Sequence, residues 1–176
     1  DKKWYIPTTI GKMKYIFASD IHGSAYYCRK LVENFKKEGA DRLILLGDLL
    51  YHGPRNALPE EYDPMSVAAM LNDKALCAMG VRGNCDAEID QMVLDFPVMA
   101  DYCAVLLDSR VIYATHGHVY GEDNPPPLKA GDVLLCGHTH VPGLRRHESF
   151  IYANPGSVSI PKNGSYHSCM MLEGDQ

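Results

Sequence analysis

No apolar run in this chain approaches the ~20 residues of a membrane helix, and no continuous apolar stretch near its start resembles a secretory leader. Clustered basic charge is absent as well. The net charge is -5 and no basic run exceeds two residues, Arg145-Arg146 included, so nothing neutralises a run of phosphates, which argues against broad nucleic-acid binding. The six cysteines (Cys28, Cys77, Cys85, Cys103, Cys136, Cys169) contain no C-x-x-C pair. Scattered through apolar patterns, they suit reduced, mostly buried thiols and a cytoplasmic protein. Internal repeats, low-complexity tracts and domain-dividing linkers are also missing. Residues 1–13 read as a tag remnant or N-terminal extension with Met13 a candidate natural start, and residues 14–176 as one domain.

What the sequence does have is histidine in particular places. Five of its eight histidines fall in glycine-flanked turns that follow apolar strands. The first such turn is Asp20-Ile21-His22-Gly23, after Tyr15-Ile16-Phe17-Ala18-Ser19. In a strand there, Ile16 and Ala18 face one side and Phe17 the other, and the polar residues leave the sheet at its carboxyl edge. Ser24 caps a helix to about Glu38 with the stripe Cys28, Leu31, Val32, Phe35, and Gly39 stops it. The apolar run 42–46 then ends in Gly47-Asp48. A right-handed βαβ crossover sets these two strands parallel, which brings Asp48 to the edge that carries Asp20 and His22.

Residues 49–64, rich in proline, acids and tyrosine, read as a loop over that edge. A helix begins at Asp63-Pro64 and runs to about Asp73, and a third strand spans 75–79. Asp86, in Gly83-Asn84-Cys85-Asp86, is expected to cap a short helix carrying Ile89, Met92 and Val93. From Pro97 onward strands succeed one another. A hairpin of 102–107 and 111–115 turns at Asp108-Ser109 and ends in His116-Gly117-His118. Residues 119–132 form a connecting loop with room for one helical turn. The buried strand 133–136 ends in Gly137-His138-Thr139-His140, where an extended backbone sets two imidazoles on one side. A second hairpin covers 144–147 and 150–153, and a last strand falls within 166–172. The expected architecture is a parallel sheet with helices packed against a largely antiparallel sheet.

The polar residues at these strand ends are Asp20, His22, Asp48, Asn84, His116, His138 and His140. Two aspartates, four imidazoles and one carboxamide are too many for one ion. They suffice for two divalent cations sharing one carboxylate, an arrangement that clamps the attacking and leaving oxygens of phosphoryl transfer. Oxygen and nitrogen donors without thiolate suit manganese first, with iron, nickel or zinc also compatible.

The ordered motifs D-x-H, G-D, G-N-x-D, H-G-H and G-H-x-H resemble the calcineurin-like metallophosphoesterase superfamily over Lys14 to about Ile160. Small size, Gly83-Asn84-Cys85-Asp86 and Asn154-Pro155-Gly156-Ser157 resemble its compact bacterial and archaeal phosphodiesterase branch. The resemblance implies an α/β fold, a four-layer αββα sandwich of two mixed sheets flanked by helices. It also implies that Asp20, His22 and His140 bind one metal, Asn84, His116 and His138 the other, and that Asp48 bridges them. The implied activity is hydrolysis of phosphate esters, diesters above all, by a metal-bridging hydroxide. Alternatives are a phosphomonoesterase on the same site, or a protein-binding scaffold like the retromer subunit of similar fold. The chain departs from the superfamily at Cys85, where many members carry a phosphate-contacting histidine. His118 and His52 are the nearest substitutes for proton transfer, and Arg55 is placed to pair with a phosphate oxygen. The partner is then a small phosphate ester, with no membrane, and a homo-oligomer is left open.

Overall fold

A computed structural model describes residues 13–107 and 109–173. The expected extension therefore lies outside the described residues except for Met13, as does Asp108 of the hairpin turn. The elements in order are β1 (Lys14–Ala18), α1 (Ala25–Glu38), β2 (Arg42–Leu45), α2 (Pro64–Leu71), β3 (Met79–Gly80), β4 (Tyr102–Leu107), β5 (Arg110–Thr115), β6 (Val133–Cys136), β7 (Gly143–Arg146), β8 (Ile151–Asn154) and β9 (Met170–Glu173). Two sheets result, ordered β3-β2-β1-β9 and β4-β5-β6-β8-β7.

Side-chain alternation along the strands builds the layers. On the outer face of the first sheet, Ile16, Ala18, Leu43 and Leu45 pack against Cys28, Leu31 and Phe35 of α1 and Val67 and Leu71 of α2. On its inner face, Phe17, Ile44 and Leu46 meet Ile112, Ala114, Leu135 and Ala153 of the second sheet. The second sheet's far face is covered by Leu128 of the 116–132 connection together with Phe150, Tyr152 and Tyr113. Among the described residues no helix lies there, so the fourth layer is loop. The helix ends are as expected: Ser24 accepts the Tyr27 N–H, Asp63 accepts that of Ser66, and Gly39 turns at φ 61°.

Several expectations need correcting. The third strand is only Met79–Gly80. Asp73 caps a 3₁₀ turn over Lys74–Leu76, and Cys77 adopts φ 42°, which breaks the extended backbone. The second sheet is not largely antiparallel but mixed, as the family resemblance implies, because β6 runs parallel to both β5 and β8 and only the outer pairs are antiparallel. That parallel centre matters for the site: β5 and β6 deliver His116 and His138 to the same edge. The last strand, β9, joins the first sheet, antiparallel to β1. The short turn after Asp86 is a 3₁₀ turn, Asp90–Met92, with no side-chain cap, and its Ile89 and Met92 are exposed.

Candidate metal centre

The carboxyl ends of β1, β2, β5 and β6 converge, and two groups of donors form there. In the first, Asp20 Oδ1 lies 3.3 Å from His140 Nε2 and 3.6 Å from His22 Nε2, and the two imidazole nitrogens are 3.4 Å apart. In the second, His116 Nε2 faces Asn84 Oδ1 at 3.0 Å and His138 Nδ1 at 3.2 Å. Asp48 stands between them, its Oδ2 at 3.7 Å from His22 Nε2 and 3.5 Å from His116 Nε2. All seven strand-end residues singled out in the sequence are thus brought together.

Proton placement decides what this cluster can hold. His22 Nδ1 lies 2.8 Å from Tyr51 O, His140 Nδ1 2.7 Å from Ile160 O, and His116 Nδ1 2.6 Å from Leu46 O. A carbonyl oxygen only accepts, so each Nδ1 carries a proton and each ring turns its Nε2 inward, as a lone pair once a second proton has left. Asp20 Oδ1 is buried without a hydrogen-bond partner. Acceptors facing acceptors at these distances call for a cation among them. The pKa shifts say the same. Burial disfavours charge on Asp20, yet His140 and His22 hold its carboxyl well below the usual range. Burial likewise lowers His116, but Asp48 and Asp20 outweigh it and raise the ring to about 9. Positive charge is stabilised here, whether proton or metal.

The backbone carries strain to bring this about. Asp20, His22, Asp48, His138 and His140 all have positive φ, between 49° and 67°, in the left-handed region. Asp and His tolerate it better than most residues, but it still costs about 1–2 kcal/mol each. His138 and His140 are consequently not on one side of an extended segment: they turn to different groups. Close approach needs glycine. A Cβ on Gly83 would sit 2.1 Å from Asp48 Oδ1, and one on Gly137 1.9 Å from Ser19 Oγ. Ser157 and Ser159 both donate to Asp20 O, at 2.7 and 3.1 Å, which clamps the first turn from behind. These serines were not singled out, although Ser157 belongs to the Asn154-Pro155-Gly156-Ser157 motif read in the sequence.

A cavity of about 580 Å³ opens over the donors, walled by Tyr51, Pro54, Arg55, Asn56, Cys85 and Lys162. Arg55 is placed there as expected. His118 sits beside the second group, its ring 5.3 Å from that of His116, with its pKa lowered by burial and by His116. His52 is turned away from the cavity lining and packs edge-on against Tyr51 and Tyr62. Lys162, missed in the sequence, lies outside the motifs, 22 positions after His140, and carries no pattern of its own. Cys85 lines the cavity, its N–H donating to Asp48 Oδ1 at 2.8 Å. Burial, then Asp48, pushes its thiol up to about 12.

The family model for the calcineurin-like phosphoesterase superfamily domain matches residues 13–176. Phosphodiesterase YfcE of Escherichia coli strain K12 is 50% identical over 163 residues, 93% of this chain and 89% of that protein. The solved structure of the E. coli phosphoesterase superposes with TM-score 0.89 at 50% identity, covering 93% of this chain and 90% of the other. Vacuolar Protein Sorting 29 from Cryptosporidium parvum, at TM-score 0.57 and 16% identity over 93% of this chain and 86% of its own, is alike in fold alone. The chain belongs to the calcineurin-like phosphoesterase superfamily.

Proposed function

We propose that this chain is a dinuclear-metal-dependent phosphodiesterase. Asp20, His22 and His140 would hold one divalent ion, Asn84, His116 and His138 the other, and Asp48 would bridge. The observation that carries the reading is Asp48 Oδ2 standing between His22 Nε2 and His116 Nε2, with each ring's Nδ1 committed to a carbonyl and its Nε2 turned inward. The 50% identity to an E. coli phosphodiesterase supports the diester preference. When bound, the two ions would acidify coordinated water and neutralise charge on the phosphoryl oxygens.

The chain's own residues do the rest. The carbonyls of Tyr51, Leu46 and Ile160 fix the Nδ1 proton and the orientation of three rings. Arg55 supplies a planar donor pair for a phosphate oxygen from the cavity wall. His118, neutral at pH 7 and beside the second donor group, is the nearest histidine outside the ligand set for proton transfer. His52 instead buttresses the 51–62 loop. With no thiolate in the set, manganese is the first choice, and iron, nickel and zinc fit the same donors. Six free cysteines support a reducing, cytoplasmic setting.

The test is hydrolysis of bis(p-nitrophenyl) phosphate and p-nitrophenyl phosphate across Mn, Fe, Ni and Zn, with and without chelator. The diester should be cleaved faster under the best metal, and chelation should abolish both. A wide margin for the monoester under every metal would replace this reading with a phosphomonoesterase. Failure of every metal to support turnover, in protein shown to bind them, would point to a scaffold.

A further inference from the structure

The cavity is larger and more positive than cleavage of a simple diester requires. Its volume, about 580 Å³, lies in the ~300–1,000 Å³ range of pockets that enclose a whole small ligand, whereas the donor groups occupy only its floor. Two dications less the charges of Asp20, Asp48 and one hydroxide would leave that floor at net +1, which the single charge of a diester already neutralises. Arg55 and Lys162 then add two more positive charges at the mouth of a chain whose net charge is -5. Both are exposed at that wall, and among the described residues neither forms an ion pair.

Both are also held in place. Lys162 N–H donates to His140 O at 3.2 Å. Ser165 closes the turn from its N–H and Oγ onto Lys162 O, at 3.0 and 2.6 Å, and its Oγ also reaches His140 O at 3.3 Å. Lys162 is therefore tied through its own backbone to a residue of the first donor group. Arg55 sits in a turn closed by Asn56, whose Nδ2 donates to His52 O at 2.8 Å. These bonds fix the backbone from which each cation projects, so that both charges are presented at the cavity wall where an anion of the ligand can meet them.

We infer that Lys162 forms a second anion subsite in the cavity, apart from the scissile phosphate that Arg55 meets, selecting phosphodiesters that carry a further anionic group. The inference rests on the phosphodiesterase reading and adds the substrate class to it. Thymidine 5′-(p-nitrophenyl phosphate) and its 3′-phosphorylated derivative differ by one phosphate remote from the scissile bond. Wild type should prefer the 3′-phosphorylated ester. In Lys162→Gln that preference, as the ratio of kcat/KM, should fall about tenfold and mainly through KM, the size of one charge-assisted hydrogen bond. Lys162→Glu should reverse it. If both esters lose equally, Lys162 serves the scissile phosphate and the subsite is refuted. It is refuted too if the ratio does not move. Calorimetric binding of thymidine 3′,5′-bisphosphate against thymidine 5′-phosphate to metal-loaded protein gives a readout free of turnover. The same tenfold loss of preference in Lys162→Gln is expected, and an unchanged ratio overturns the subsite. Should wild type hydrolyse neither ester, the phosphodiesterase reading fails, and the binding ratio still decides the subsite.

Discussion

Asp86 grips the backbone of Asp48: its carboxylate accepts the N–H groups of Asp48 at 2.8 Å, Leu49 at 2.9 Å and Gly83 at 2.7 Å. The residue expected to cap a helix instead joins the loop after β2 to the loop after β3. It fixes the peptide from which the central carboxylate projects. Replacement by alanine would leave three N–H donors without their acceptor beside a residue only 5% exposed. Asp86→Ala should destabilise the protein by about 3–5 kcal/mol and weaken metal binding about 10- to 100-fold. Urea unfolding and titration against a chelating indicator measure the two effects. Normal metal affinity in a destabilised variant would mean that Asp86 serves folding alone.

Asp48→Ala should lose both ions together, because Asp48 Oδ2 stands between the two groups, 3.7 Å from His22 Nε2 and 3.5 Å from His116 Nε2. His140→Ala should impair the first group chiefly. Elemental analysis of Mn-loaded protein should give two ions per chain in wild type. One ion per chain at saturation, with Asp48→Ala unaffected, would sink the dinuclear assignment.

Metal binding should be coupled to protons, and His116 sets the direction. In the metal-free protein its pKa is raised from 6.5 to about 9, against the effect of burial, by Asp48 and Asp20. A raised folded-state pKa contributes stability that is full below about pH 6.5 and is lost as pH climbs through about 9. Chelator-stripped protein should therefore become less stable across that window. A metal ion competes with the same proton, so affinity should rise with pH up to about 9. Calorimetry at pH 7.5 in two buffers of different ionisation enthalpy should show proton release. No release, with a flat stability profile, would contradict the charged state of His116.

The strand ends were legible because burial writes itself into composition: uninterrupted runs such as Leu43–Leu46 end abruptly in polar turns, and parallel pairing sends those turns to one edge. Asp86 was visible as a residue but not in its role, since its partners Asp48 and Leu49 lie 38 and 37 positions away. The left-handed backbone at His138 and His140 was hidden for a similar reason. Local preference favours extension after β6, and only tertiary contacts such as the His138 N–H to Asp20 Oδ2 bond at 3.0 Å fix the turn. The strand expected at 75–79 failed because composition says apolar, while Asp73 and Cys77 impose a 3₁₀ turn.

Cys85 offers the sharpest test of what the site lacks. A positioned general acid contributes ~10²–10⁴ in rate, but only where the leaving group needs a proton in the transition state. Burial and Asp48 push the Cys85 thiol up to about 12 in the metal-free site, whereas two dications beside it would favour the thiolate, and neither state is a good proton donor at pH 7. Its N–H to Asp48 Oδ1 bond belongs to the backbone, so a new side chain does not break it. Gly53 backs onto the sulfur, where an added Cβ would lie 3.1 Å from Sγ, so a larger residue has to turn into the cavity. Cys85→His should therefore retain both ions and raise turnover selectively, with a larger gain for alkyl esters than for nitrophenyl esters. Cys85→Ala should change little on activated diesters. Rates across a series of leaving groups, compared at matched metal occupancy, give the answer as a change in leaving-group dependence. A roughly hundredfold loss in Cys85→Ala on the activated diester, with both ions still bound, would assign Cys85 a catalytic role instead.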